Sequence, residues 1–447
     1  MKDQSNSDSQ TLESSPRSIK GTFASLRNRD FLYLWLSLLT MFASLHMQMI
    51  ARGYLAYEMT SSPSILGFVN AGFALPMLVF SLFGGAVADR FNRKTVILIG
   101  QAVVVVTPLS ITFLIYFELI QWYHLMIGSI FQGTGFTIMM PARQAIIPQI
   151  VGKANITNAM ALTASAMSIT TLMAPTAAGN LWAFIDRIGG INFFIFRSEL
   201  DFGPAATVYV VISFFAIAAF FITTKMSRPP PVSNVTTDGN EKPPGGLLAD
   251  IVDGLQYIRK NRLVMILLIM GLTTTLLAMP YRFLLPVFVV DVYDRGSDAY
   301  GWLVTLGGVG TMVGSLFISW LGAWKRGLLL ILGSLISAIG LVMLAAFPFY
   351  LAALGIMVFL GLGDAGRRTL NQALIMSAVD ERYQARVMSV FMLNFGLMPL
   401  GVLPASIAME YWGSQEVIFV LGILLLSLIH ISEPTRRTPI SYAVFCL

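Results

Sequence analysis

Apolar runs of about 18 residues or more recur along the whole chain, separated by short polar stretches. Each run can cross a hydrocarbon core about 30 Å thick as a single helix. Backbone in lipid must satisfy its own hydrogen bonds, so spanning segments are helices or closed barrels. With 56% of residues hydrophobic and 12% charged, and a mean hydropathy of +0.73, a soluble fold would have too little polar surface. The sequence therefore reads as an all-α polytopic membrane protein. The net charge of +6 is spread in short clusters between the runs rather than gathered in one patch, so no nucleic-acid partner is expected.

The runs place spans near 31–57, 65–88, 95–117, 123–142, 156–185 and 204–224, then near 264–290, 299–323, 327–348, 350–375 and 386–412. A twelfth begins near 416 and is cut short. Residues 1–29 form a polar, Ser-rich tail without the apolar core of a signal peptide. The division that follows is a first six-helix bundle over 30–225, a linker over 226–263 and a second bundle over 264–425. The linker is rich in Pro and Gly and then turns amphipathic, with Leu248, Ile251, Leu255 and Ile258 at helical spacing. Its Arg259, Lys260 and Arg262 are placed to meet anionic lipid headgroups.

Residues 426–447 break off an apolar run. Leu426–Arg436 and Ile440–Leu447 spell what sequencing-adapter DNA translates to, so this stretch is read as not native. It holds the sole cysteine, Cys446, and one of three histidines, His430. No thiol chemistry, metal site or cofactor is expected from the rest.

Lys and Arg gather in the tail and in segments 90–94, 143–153, 225–262, 325–326 and 367–386, whereas the opposite loops hold Arg187, Arg197 and Arg295. Positive charge marks the cytoplasmic side, which puts the N-terminus inside. A shift of 228 residues overlays Phe131, Gly133, Gly135, Gln144, Ala145 and Met160 on Phe359, Gly361, Gly363, Gln372, Ala373 and Met388. Two similar halves in one orientation are the pattern of a parallel-repeat transporter, with substrate bound between them.

The stretch GGAVADRFNRKTV lies between spans two and three. There Gly85, Asp89, Arg90, Arg93 and Lys94 match the Gly-x-x-x-Asp-Arg/Lys-x-Gly-Arg/Lys-Arg/Lys signature, with Asn92 in place of its last Gly. In this loop the chain resembles the major facilitator superfamily. Asn tolerates a left-handed turn better than most residues, so the tight turn is expected to survive. The resemblance implies a gate: Asp89 latching onto the start of span eleven, near Arg386, and releasing when the protein opens inward. It implies the major facilitator fold, two six-helix bundles, and within it bacterial efflux members related to the enterobactin and macrolide exporters. HMQMIARGYLAYEMTSSPSILGFV, QGTGFTIMMPARQAIIPQIV and DGLQYIRKNR carry that nearer likeness.

Two family motifs are kept only in part. Gln132, Gly133 and Gly135 match the span-four antiporter motif, but Ser129 replaces its Arg. In span five APTAAG keeps Pro175 and Gly179, with Ala174 and Ala178 for glycines. Coupling and plain helix packing both remain open for these residues.

Ionisable groups at membrane depth default to functional candidates. Arg52 and Arg282 either attract an anionic substrate or pair with Glu58 and Asp291. Asp364 is the one acid well inside a span, with Arg367 and Arg368 a turn away to neutralise it. His46 with Gln48 is the best proton-labile pair. Met41, Met47, Met49 and Tyr54, with Met270, Met279 and Tyr281, suit either an adaptable pocket or helix packing.

No His-Glu-x-x-His pair and no Gly-x-x-x-x-Gly-Lys-Ser/Thr loop occurs, so neither an enzyme nor an ATP-driven pump is expected. The expected activity is proton-linked export of small hydrophobic or amphipathic molecules, of drug, macrolide or siderophore type, across the bacterial cytoplasmic (inner) membrane. The alternatives are an uptake carrier or lipid transporter of the same fold, or a non-transporting receptor. Expected partners are the small-molecule substrate, protons and anionic lipid; the protein is expected to be a monomer.

Overall fold

The computed structural model describes residues 24–90, 92–152, 155–188, 203–227, 255–321, 326–380 and 383–432. Residues 1–23 of the N-terminal tail, most of the linker and the adapter-like residues beyond 432 lie outside them. The first half comprises α1 (Arg29–Thr60), α2 (Pro63–Arg90), α3 (Arg93–Tyr116), α4 (Trp122–Val151), α5 (Ile156–Arg187) and α6 (Gly203–Thr224). The second comprises α7a (Arg262–Ala278), α7b (Pro280–Val287), α8 (Ser297–Leu321), α9 (Arg326–Ala346), α10 (Tyr350–Ala378), α11a (Gln384–Gly396), α11b (Pro399–Trp412) and α12 (Ser414–Ser432). Among the described residues nine helices are long and apolar enough to cross a membrane. Span seven is counted among the nine although it breaks after Ala278, and it restarts, like span eleven, on a proline at its first position, where the missing N–H costs nothing. The three not counted are span eleven, which that break leaves as two short helices, α12, whose apolar part Ser414–Leu428 is shorter, and α5. Helix α5 carries Thr163, Ser165, Ser168, Thr170, Thr171 and Thr176.

Helix pairing in one half is repeated in the other: α2 on α4 and α3 on α4 are matched by α8 on α10 and α9 on α10. The glycines of the sequence repeat explain why. A Cβ at Gly133 would meet the Phe73 carbonyl of α2 at 2.2 Å, and at Gly361 the Gly307 carbonyl of α8 at 2.1 Å. On the other side of the same helices, Gly135 faces Gly100 of α3 and Gly363 faces Gly333 of α9. Each half thus wedges its fourth helix between two neighbours at backbone contact, which only a missing side chain permits.

The end carrying the α2–α3 turn is the motif end; the end carrying the α1–α2 turn is the far end. At the far end one hydrophobic core runs through both bundles, joining Leu55, Leu66, Trp182 and Tyr209 to Leu284, Phe288, Tyr300 and Met409. At the motif end the core splits. Phe31, Leu38, Val96, Met139 and Ile146 form a cluster inside the first bundle, and Val264, Leu267, Leu370 and Leu374 another inside the second. Two helix pairs dominate the seam, α5 with α8 and α2 with α11, and the repeat exchanges one pair for the other.

Some sequence expectations shift. Arg143, expected in a loop segment, is buried because α4 runs on to Val151. Arg367 and Arg368 likewise lie inside α10. Of the amphipathic linker helix only its end is described: Ile258 is buried, Leu255 is exposed, and Tyr257 stacks on Tyr383 and donates to Asp380 at 3.1 Å.

Candidate functional site: a seam closed at one end and a cavity open at the other

The hydrogen bonds that join the two bundles, among the described residues, belong to the far half. At the end itself, Tyr57 donates to Asp291, Arg187 meets Asp298 at 3.1 Å, and Glu410 accepts from Ser62 Oγ at 2.8 Å and the Ser64 N–H at 3.1 Å. Asp291 reaches its partner from a single π-turn, Phe288–Val292, that ends span seven. Deeper in, Ser297 Oγ donates to the Gly179 carbonyl at 3.2 Å and Thr305 Oγ1 to the Leu172 carbonyl at 2.9 Å, while Thr176 and Thr305 hydroxyls bond each other. Asn70 donates to the Phe283 carbonyl at 3.1 Å.

Pro175 and Gly179 find their place here. A Cβ on Gly179 would sit 2.4 Å from the Ser297 carbonyl, and one on Gly301 would sit 2.8 Å from the Pro175 carbonyl. The other seam has the same build, since a Cβ on Gly67 would collide with Ser406. The span-five motif is therefore the surface on which the two bundles close. Thr176, Thr305, Asn70 and Tyr57 were missed at the sequence level, because nothing in a lone apolar run says which face meets the other bundle.

The motif between α2 and α3 is partly described. Asn92 has φ −60° and ψ 120°, not a left-handed turn, and its side chain accepts from the Lys94 and Thr95 N–H groups. Asn substitutes for Gly here as a helix N-cap, which corrects the expected reason for its tolerance. Lys94 is buried and donates to the carbonyls of Thr224, at 2.8 Å, and Met226. It thus satisfies carbonyls at the end of α6, where a cation also complements the helix dipole. Arg93 donates to the Ala145 carbonyl of α4 at 2.6 Å. These cations bind the first bundle together. Gly85, Asp89 and Arg90 lie in the last two turns of α2; the side chains of Asp89 and Arg386, on which the latch depends, lie outside the described residues.

The mid-depth candidates separate into two groups. In the first bundle Arg52, Gln132 and Gln48 form a buried chain: Arg52 Nη1 donates to Gln132 Oε1 at 2.8 Å, and Gln132 Nε2 to Gln48 Oε1 at 2.6 Å. The Arg52 guanidinium also lies over the Phe73 ring, 5.9 Å from its centroid. Pairing of Arg52 with Glu58 or Asp291 is not what forms; Asp291 is engaged by Tyr57, and a neutral amide takes the arginine. Ser129 is fully buried, bonds back to the Leu125 carbonyl at 2.8 Å and lies against Gly72, a gap too narrow for the family's Arg. Arg143, missed as a buried group, donates to Ser37 Oγ at 2.6 Å and the Leu34 carbonyl at 3.2 Å. Met41, Met47, Met279 and Tyr281 are buried in packing.

The second group converges from both bundles. His46 on α1 is half-buried, its Nε2 3.3 Å from Thr171 Oγ1 on α5, and it lies within electrostatic reach of Arg282 on α7b. Arg368 on α10 is in turn within reach of Arg282 and of Asp364. Asp364 pairs with Arg367 at 2.7 Å, both about 3% exposed, as the spacing led one to expect. Among the described residues no cluster of His, Cys, Asp and Glu that could hold a metal occurs.

Comparison with known proteins agrees with this geometry. The family model of the Major Facilitator Superfamily matches residues 34–402. The Staphyloferrin A transporter of Staphylococcus aureus is 23% identical over 373 residues, covering 80% of this chain and 84% of that protein. Macrolide efflux protein A of Enterococcus faecalis is 24% identical over 354 residues, covering 77% and 99%. Among solved structures, nucleoside transporter NupG aligns with a TM-score of 0.68 at 12% identity, covering 90% of this chain and 98% of its own. A bacterial homolog of the human lysosomal transporter Spinster, inward-facing and unoccupied, aligns at 0.69 with 14% identity, over 96% and 98%. At such identities the structural likeness speaks for the fold alone.

Proposed function

This chain belongs to the Major Facilitator Superfamily, and from that premise we propose proton-linked export of small amphipathic molecules by alternating access. The observation that carries the alternating-access part is the core that is fused at the far end and divided at the motif end. Two rigid bundles sharing one end as a hinged seal can rock, exposing a mid-depth site to one side at a time. Positive charge at the motif end supports a cytoplasmic side for that end, and with it the reading of this form as inward-open with the N-terminus inside. Export is favoured over uptake by the likeness to Macrolide efflux protein A, which is named for efflux.

For the coupled proton, His46 and Asp364 are the His, Asp or Glu side chains described at mid-depth, and either can carry it between the two states. Asp89 is proposed as the latch that seals the motif end in the opposite state. Asp89→Asn is expected to insert normally and to retain a small fraction of wild-type transport; full transport in that variant would remove the latch.

The test of the whole reading uses everted membrane vesicles with a respiration-driven proton gradient. Macrolides, lipophilic cations and catecholate siderophores are added in turn while internal pH is followed. Alkalinisation with one class, absent from vesicles without the protein, is the expected result. Accumulation of a class without any pH response would overturn proton coupling, and uptake into right-side-out cells would overturn export.

A further inference from the structure

Where the α5–α8 seam ends, the first bundle holds a pocket. The bonds and close glycine contacts of that seam run along α5 from Gly179 to Thr171. One turn nearer the motif end, Met167 begins a cavity of about 130 Å³ between α1, α4 and α5, walled by Leu34, Leu38, Met140, Ile147, Met160 and Met167. An apolar cavity of that size holds a body of about one aromatic ring, and flexible Met side chains adapt to its shape. Arg143 on α4 lines the same pocket.

The bundle does not neutralise this arginine. Arg143 is 2% exposed, and no acidic side chain meets it: the ion pairs among the described residues are Arg187–Asp298 and Asp364–Arg367. Its guanidinium donates only to neutral atoms, Ser37 Oγ at 2.6 Å, the Leu34 carbonyl at 3.2 Å and Met41 Sδ at 3.2 Å, the last a weak acceptor. Its Nε is buried without a hydrogen-bond partner among the described residues. A cation held away from water without a counter-charge is costly, and the fold does not require one here. The 228-residue shift carries Arg143 and Gln144 onto Asn371 and Gln372. Asn371 is 3% exposed, so the second half buries a neutral amide at the equivalent position. The unpaired group is a donor and the charge is positive, so the missing partner is an anionic acceptor. The apolar walls select the rest of the ligand.

Resting on the transporter reading above, we propose that the α1–α4–α5 pocket binds a lipophilic acid, its apolar body against the Leu and Met walls and its carboxylate against Arg143. Arg143 supplies the counter-charge and the free Nε donor. The acid is a substrate loaded from the motif end, where the cores of the two bundles are separate. Lipophilic cations are then poor ligands of this pocket.

The probes are one aromatic body with three ends: para-fluorinated phenylacetate, phenylacetamide and phenylethylammonium. Binding to the purified full chain in phosphatidylcholine nanodiscs is read by fluorine NMR titration, with uptake by empty nanodiscs subtracted. The acid is expected to bind about tenfold or more tighter than the amide, the gain of one charge-assisted bond, and the ammonium weakest. Arg143→Asn, which copies the other half, should remove about tenfold of the acid's affinity and leave the amide's unchanged. Met167→Trp, at an exposed wall position, fills the pocket and should weaken acid and amide alike. Equal binding of acid and amide, or tighter binding of the ammonium, overturns the proposal. So does full acid binding in Met167→Trp, or equal loss of acid and amide in an Arg143→Asn protein that elutes as the wild type does. Acid binding that survives added phosphatidylglycerol supports a free acid as the occupant; its abolition there would hand the pocket to a lipid phosphate. Acid selectivity without proton-linked movement in vesicles would sink the transport reading and leave this site standing. Alkalinisation by lipophilic cations, with no acid selectivity, would do the reverse.

Discussion

Gly179→Leu is expected to hold the far end open and to reduce transport by about tenfold or more. At Gly179 even a Cβ would lie 2.4 Å from the Ser297 carbonyl and 3.2 Å from the Gly301 Cα, and both obstacles are backbone. Neither helix can yield locally, so α5 and α8 must part. Parting them breaks three bonds made within two turns: Ser297 to Gly179, Thr305 to Leu172, and Thr176 to Thr305. At roughly 1 kcal/mol net for each, about 3 kcal/mol is lost from the closed end, a shift on the order of a hundredfold between the two states. The hydrophobic cores within each bundle are untouched, so the protein should still fold and insert.

The readout is a cysteine pair, Arg187→Cys with Asp298→Cys, at positions whose native side chains meet at 3.1 Å, in a Cys446→Ser background. Rapid cross-linking is expected where Gly179 is kept, and slow cross-linking in the Gly179→Leu variant. Equal rates, together with wild-type transport, would mean that the seam does not move during the cycle.

Much of the architecture was legible because lipid is so restrictive a solvent. A run of apolar residues in that setting has one outcome, and spans one to six fall within a few residues of where the runs placed them, save α4, which continues past its expected end. The breaks in spans seven and eleven were not legible, although Pro280 and Pro399 stand at them. Pro76, Pro108, Pro141, Pro148, Pro175 and Pro404 lie inside helices that continue, so a proline in an apolar run does not announce a break. Polar partners were the least readable. Arg52 has Glu58 nearby in sequence and Gln132 nearby in space, and only packing of α1 against α4 decides between them. The pairing of Asp364 with Arg367 was legible because an i, i+3 pair needs no tertiary knowledge.

That pair carries the other large effect. Asp364→Ala is expected to destabilise the protein by about 3–5 kcal/mol, since it leaves the Arg367 guanidinium buried without its counter-charge. The double variant Asp364→Ala with Arg367→Met removes both charges and should recover most of that loss, measured as thermal unfolding in detergent. A double variant no more stable than the single one would mean that Asp364 serves more than Arg367, and Arg368 and Tyr281, both within its field, are the groups to vary next. Transport by the stabilised double variant separates the two roles open to the acid. If Asp364 is only the counter-ion of Arg367, transport returns with stability. If it carries the coupled proton, the double variant folds, inserts and still fails to alkalinise the vesicle, and His46 is relieved of that task.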